Sequence, residues 1–301
     1  LKKQQEKVFM KKLKQLIAHI KTLNTNPSNE LNDEILQLIC YAPKMPLRLQ
    51  QEQLLNEATR FSFKVKDEYF AKKELSFFGF KWGNGKHKVL ITHGWGSKAA
   101  DFAEIITALK KIDNLEIIAF DAPGNGSSEG ELSNLLLFVK AVETIVSNFG
   151  IPDVMIGHSL GAMANVIALK RMRFVPSLLV SLAPLILLKE NFEASMQTVG
   201  ISKTSQDRFL KGFEDTFNIP ASSFNLNDWY SFENPPKHWL GYDQNDQTAP
   251  FKFLKTFLDK NTSIISHKFD GVGHDKILKS PDVIQGLTEI VNGTLSNKND
   301  L

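Results

Sequence analysis

Apolar positions along this chain follow two alternating rhythms. Val8, Phe9, Leu13, Leu16, Ile17, Ile20 and Leu23 recur at helical spacing with lysines between them, which predicts an amphipathic basic helix over 1–24. Asn24 to Asn29, with Pro27, breaks that helix. A second helical stretch covers about 30–40, and after Pro43 and Pro46 a short helix covers about 50–59. Phe61–Val65 and Leu75–Phe80 carry some period-two patterning and predict two antiparallel strands. Apolar strands then follow at 88–92, 116–120, 154–157, 176–183, 239–242 and 263–269, with helices at 98–111, 132–148, from 160 to about 173, at 249–259 and at 280–292. Strands alternating with helices in this way predict an α/β fold, a doubly wound and mostly parallel sheet, and no internal repeat interrupts it. Four segments result: a helical arm at 1–60, a first part of the α/β core at 61–185, a helical insertion at 186–236, and a second part of the core at 237–295.

Composition acts mainly by exclusion. With 301 residues, 42% of them apolar and 23% charged, the chain has the balance of a soluble globular protein with a large core. A net charge of +3 is too small to argue for nucleic acid, and it is evenly spread except for Lys2, Lys3, Lys7, Lys11, Lys12, Lys14 and Lys21. That basic helix is read as packed on the body with its lysines in water, in preference to lying on a membrane surface. The single cysteine, Cys40, excludes an intramolecular disulfide and fits a reducing compartment. The longest apolar run, Leu178 to Leu188, is interrupted by Ser181 and Pro184 and reads as a buried strand with its exit, not as a membrane span. Lysines break every apolar stretch near the N-terminus that could form a secretory signal, so the expected location is cytoplasmic.

The candidate chemistry starts at Gly157-His158-Ser159-Leu160-Gly161. This G-x-S-x-G follows the apolar strand Val154-Met155-Ile156 and opens a small-residue helix, Ala162-Met163-Ala164. So tight a strand–turn–helix leaves no room for side chains two residues before and after the serine, and it lifts the Ser159 hydroxyl above the sheet edge. A serine hydroxyl needs a base to become a nucleophile, and the base needs a group to orient it. Among the seven histidines, His19, His87, His238 and His267 sit on helices, turns or strands, and His158 is locked into the turn with its ring aimed away from the hydroxyl. His274 lies in the glycine-rich loop Gly271-Val272-Gly273-His274-Asp275 after the last strand, where an imidazole can reach across to Ser159. Two acids follow the preceding strand, Asp243 and Asp246. Asp243 abuts the strand and suits a turn cap, while Asp246, further out and just before Pro250, suits the partner of His274. The remaining need is a pair of amides for a developing oxyanion. Leu160 supplies one at a helix N-terminus, and Trp95, freed by glycines on either side in His93-Gly94-Trp95-Gly96-Ser97, supplies the other. His93 braces that loop. Asp121-Ala122-Pro123-Gly124-Asn125-Gly126 lacks the Gly-Lys-Ser/Thr of a phosphate loop and reads as a tight turn shaping a pocket wall.

Together these pieces resemble the α/β-hydrolase superfamily over roughly 60–295: the His93-Gly94-Trp95-Gly96 loop, Asp121 to Gly126, the G-x-S-x-G turn, Asp246 with Pro250, and Gly273-His274. Trp95, the Tyr242-Asp243 pair, Gly273 to Leu278 and the helical arm resemble, more narrowly, a group of bacterial α/β-hydrolases. Asn125 departs from the histidine or tyrosine common at its position. The resemblance implies an eight-stranded, mostly parallel sheet with a helical lid at 186–236. Most aromatics of that segment are read as holding it together, with two or three facing the pocket. The resemblance further implies hydrolysis, without metal or cofactor, of a small-molecule carboxylic ester or a close relative, and does not itself name the substrate. The aromatic residues of 186–236 favour a small to medium apolar acyl group. A serine at the turn sets the chain apart from haloalkane dehalogenases and epoxide hydrolases, which need aspartate there. The same triad would serve a thioesterase, an acyltransferase or a perhydrolase, and the same fold could carry a non-catalytic binding protein.

Overall fold

The structure is a computed structural model, and it describes residues 2–23 and 28–299, with side chains over 11–23 and 28–296. Of the helix break expected over 24–29, residues 24–27 lie outside the described residues, Ser28 caps the next helix and Asn29 is that helix's first residue. Eight strands form one sheet in the order β1-β2-β4-β3-β5-β6-β7-β8. They are β1 (Thr59–Lys66), β2 (Glu74–Trp82), β3 (His87–Thr92), β4 (Leu115–Asp121), β5 (Val154–His158), β6 (Leu178–Leu182), β7 (His238–Tyr242) and β8 (Ile265–Lys268). β2 runs antiparallel to both β1 and β4, and every other pairing is parallel.

The central strands are continuous apolar runs because helices cover both faces of a parallel sheet. Successive residues of β3 divide between two cores: Val89 and Ile91 join Ile117, Val154 and Val180 on one face, while Leu90 joins Ile118, Met155 and Leu179 on the other. The first face is closed by α3 (Leu49–Asn56), α4 (Ala103–Leu109) and α12 (Pro281–Asn299), and the second by α5 (Leu135–Phe149) and α6 (Leu160–Met172). Phe138 of α5 is fully buried in the second, and truncating it to alanine would cost about 3–5 kcal/mol. β8, by contrast, is an edge strand with all four residues exposed.

Two local expectations shift. The helix expected over 98–111 divides into a tight 3₁₀ turn, Ala99–Phe102, and α4, because the Asp101 carboxylate reaches back to the Lys98 amide and the Ser97 hydroxyl. His87, expected in a turn, is the first residue of β3 and is buried.

The N-terminal helices pack on the second core. Leu16 and Ile20 of α1 (Lys2–Leu23) are buried there with Leu31 and Ile35 of α2 (Asn29–Cys40), and Lys12 pairs with Glu131 across the face of Tyr41. The segment between β6 and β7 carries α7 (Leu188–Thr198), α8 (Lys203–Phe217) and the short α9 (Leu226–Trp229). α10 (Phe251–Lys260) and the one-turn α11 (Gly273–Lys276) complete the chain order. Among the described residues no helix is long and apolar enough to cross a membrane.

Candidate active site

Ser159 occupies the single-residue turn between β5 and α6, at φ 52° and ψ −119°. A side chain in that region of backbone space costs on the order of 1–3 kcal/mol, so the surroundings must hold it. They do so sterically and by hydrogen bonds. A Cβ on Gly157 would stand 2.5 Å from the Ala162 Cα, and one on Gly161 would stand 2.3 Å from the His93 carbonyl oxygen. The Ser159 amide donates to the Leu182 carbonyl at 3.0 Å, and its own carbonyl accepts from the Leu185 amide at 3.2 Å.

The loops after β7 and β8 bring their side chains to this turn. His274 Nε2 lies 2.9 Å from Ser159 Oγ, and His274 Nδ1 lies 2.7 Å from Asp246 Oδ2. The other carboxylate oxygen of Asp246 accepts the amides of Thr248 at 2.7 Å and Ala249 at 2.9 Å. Burial alone would raise the Asp246 carboxyl. The hydrogen bond and charge of His274, with those two amides, outweigh burial and hold the group below the usual carboxylate range. The ionised Asp246 accepts a hydrogen bond from His274 Nδ1–H, which leaves Nε2 as the acceptor that faces the serine hydroxyl. Asp243 meets neither Ser159 nor His274 by its side chain. It caps its own turn through the Asn245 amide at 2.8 Å and accepts the Gly273 amide at 2.7 Å, tying the two loops together.

His158 does more than its place in the turn suggested. Its ring packs 4.8 Å from that of His274, and its Nε2 donates to the His274 carbonyl at 3.0 Å. Nδ1 is buried without a partner, and the pKa is pushed down to about 3 by burial, with the His274 charge adding to it. Beyond the fact that it neighbours Ser159, nothing in its sequence position signals this contact. The other histidines stay away from the serine. His19 sits beside Glu30 and Glu34, His238 lies between the hydroxyls of Tyr230 and Ser181, and His267 stacks on Trp239. His158, His274 and Asp275 present potential metal-ligand atoms within 4.8 Å of one another. A cation using the His274 Nε2 lone pair there would compete with the Ser159 hydroxyl for it.

The loop after β3 is fixed at both ends of Trp95. His93 Nδ1 donates to the Gly94 carbonyl at 2.7 Å while its Nε2 accepts the Ala122 amide at 2.9 Å, and burial holds this ring neutral by lowering its pKa. Asn125, at the position that departs from the family pattern, accepts the Gly96 amide at 3.2 Å. Among the described residues, the amides of Trp95 and Leu160 donate to no protein acceptor. Gly94 is required between them, since a Cβ there would come within 2.8 Å of His158 Nδ1 and 3.1 Å of the Ser159 Cβ.

A cavity of about 400 Å³ opens at Ser159 and His274. Leu135, Leu136, Leu160, Leu185 and Leu188 wall it from the core side, and Leu38, Ile39 and Cys40 wall it from the end of α2. Four aromatics of the 186–236 segment face it (Phe192, Phe213, Phe217 and Phe224), more than the two or three expected. Phe209 and Met196 are buried within that segment's own packing.

A family model described as the alpha/beta hydrolase family matches residues 89–278. The monoglyceride lipase of Rattus norvegicus is 27% identical over 125 residues, 39% of this chain and 41% of that protein, so the chain spans less than half the length of that relative. A putative esterase/lipase of Mycoplasma genitalium is 25% identical over 242 residues, 75% of this chain and 82% of that one. Among solved structures, a Pyrococcus furiosus esterase superposes with a TM-score of 0.58 at 16% identity, covering 86% of this chain and 97% of its own. A putative lipase from Acinetobacter baumannii gives a TM-score of 0.60 at 15% identity over 91% and 99% of the two chains.

Proposed function

The chain belongs to the alpha/beta hydrolase family, and from that premise we propose that it is an esterase acting on carboxylic esters through an acyl-serine intermediate. The observation that carries this reading is the unbroken line of contacts from Ser159 Oγ through His274 to Asp246, at 2.9 and 2.7 Å. Ser159 Oγ attacks the acyl carbonyl as its proton passes to His274 Nε2. The oxyanion of the tetrahedral intermediate accepts the amides of Trp95 and Leu160, which have no competing acceptor. Collapse expels the alcohol, which takes the proton from His274. Water then surrenders a proton to the same nitrogen, attacks the acyl carbon and frees Ser159. Throughout, Asp246 fixes the imidazole tautomer and stabilises the transient imidazolium.

The apolar walls of the cavity support an apolar acyl group, with α7–α9 acting as a lid over it. At about 30 Å³ for a group the size of water or methylene, 400 Å³ holds roughly a dozen such groups, which suits an acyl chain of medium length. The partner is a small-molecule ester, with no cofactor or metal in any step. The one cysteine, Cys40, is buried, and a cytoplasmic location completes the reading.

A chromogenic ester series from acetyl to long acyl, run on the wild type and on Ser159→Ala, tests the proposal. The expected result is turnover that peaks at one medium chain length and vanishes in the variant. Turnover undiminished in Ser159→Ala would sink the mechanism, and turnover of thioesters alone would move the reading to a thioesterase.

A further inference from the structure

An ester bound with its acyl chain in the apolar cavity must send its other half elsewhere, because the two substituents of the carbonyl carbon diverge. A second cleft, of about 470 Å³, borders the first through three shared residues, Trp95, His158 and Asp275. These residues lie beside Ser159 and His274 in the chain or in the loop opposite. The cleft's remaining walls add charged side chains to the apolar Met45, Pro46, Leu47 and Leu278. They include Arg48 and Gln51 from the arm, Lys98 and Asp101 from the turn before α4, and Lys279.

We propose that this cleft receives the alcohol half of the ester, and that it selects an alcohol carrying one negative charge. The inference rests on the reading of Ser159 as the nucleophile. Charge arithmetic within the cleft carries it. Arg48 and Lys98 share a single carboxylate, that of Asp101, at 3.9 and 3.5 Å. That carboxylate is already accepting from Ser97 Oγ at 2.8 Å and Gln51 Nε2 at 2.8 Å, so its capacity is divided. Lys98 is 8% exposed, so its charge is largely out of water, and Lys279 makes no ion pair among the described residues. Asp275 lines both cavities and therefore marks their boundary, whereas the three cations line only the second. Three cations against two carboxylates leave an unbalanced positive charge, placed away from the acyl cavity. An anion held there has its neutral ester bond over Ser159 and its departing oxygen near His274. The arrangement also gives the N-terminal arm a part in specificity, since Arg48 and Gln51 come from it.

The test compares 2-nitrophenyl octanoate with its 5-carboxy counterpart, two esters with one acyl chain and leaving groups that differ by a carboxylate. In the wild type at low salt, kcat/KM should favour the carboxylated ester by about tenfold, and roughly 0.5 M salt should erase most of that preference. Arg48→Ala and Lys279→Ala should each reduce the preference severalfold, read as the ratio of kcat/KM for the two esters so that any change common to both cancels. Arg48→Glu should invert it. Equal kcat/KM for the two esters, or a preference that survives Arg48→Glu, overturns the leaving-group site and leaves the esterase reading standing. Turnover of neither ester, with Ser159 unlabelled by a fluorophosphonate, overturns the parent reading and this inference with it.

Discussion

Replacing Asp246 by Asn should remove the base while leaving the fold in place, and the hydrogen bonds around the carboxylate say why. Asp246 Oδ1 accepts the amides of Thr248 and Ala249 at 2.7 and 2.9 Å. In the variant the side-chain carbonyl oxygen must take that place, because an NH₂ group there would face two donors. The amide nitrogen then stands where Oδ2 stood, 2.7 Å from His274 Nδ1. A donor at that distance requires Nδ1 to carry the lone pair, which moves the imidazole proton to Nε2, 2.9 Å from Ser159 Oγ. A protonated Nε2 cannot accept the serine's proton. The same exchange in a protease triad costs about 10⁴-fold in kcat, and about the same loss is expected here, roughly 5.5 kcal/mol of transition-state stabilisation. Asp243→Asn is the matched comparison, since it disturbs only the tie to the Gly273 amide, and a loss of about tenfold is expected. The assay is kcat on a medium-chain nitrophenyl ester for both variants, with melting temperature as the control for folding. A loss below about 30-fold in a normally folded Asp246→Asn would refute the tautomer argument. A larger loss in Asp243→Asn would reassign the orienting acid.

Acidification should lower kcat/KM with unit slope. Asp246 is held below the usual carboxylate range, so its carboxylate stays ionised in mild acid and adds no second proton to the fall. The stability that Asp246 contributes is present above the ordinary carboxyl range and is lost only as pH falls through its lowered folded value, so a two-proton fall in kcat/KM would contradict this assignment. Asn125→Ala removes the acceptor of the Gly96 amide and should lower kcat about tenfold with KM little changed, because the loop carrying the Trp95 amide loosens. A change confined to KM would place Asn125 in binding instead. Gly161→Ala drives a Cβ to 2.3 Å from the His93 carbonyl oxygen and should destabilise the protein by about 3 kcal/mol in denaturant titration. An unchanged midpoint would show that the turn admits a Cβ at this position and would refute the steric argument.

What could be read from the sequence was what is decided locally. β3 and β5 were visible because burial on both faces demands apolar runs, and Gly157 and Gly161 were visible because the turn excludes side chains within two residues of Ser159. The choice of Asp246 over Asp243 was also local, a matter of distance from the strand end, and the geometry brings Asp246 to His274. Contacts between distant segments were another matter. His158 meets a carbonyl 116 residues away and Asn125 an amide 29 residues away, and neither residue type names such a partner. The same holds for α2. Its apolar face could be read from its spacing, but not that Leu38, Ile39 and Cys40 at its end would wall the cavity beside Ser159.

Each loop that bears on the serine is tied down by a bond outside the line Ser159–His274–Asp246. Asp243 holds the Gly273 amide, His158 holds the His274 carbonyl, His93 joins its loop to Ala122, and Asn125 holds Gly96. Under the proposed mechanism these ties place the reacting groups before substrate arrives, so ordering them adds little to the barrier. They also divide the work of the molecule. The sheet-end loops are braced against one another. Under the same reading, α2, the segment at 45–51 and the helices between β6 and β7 add walls that the braced loops do not supply. Selectivity should therefore change through those additions with the chemistry intact, while substitutions at the four ties should lower the rate for every ester alike.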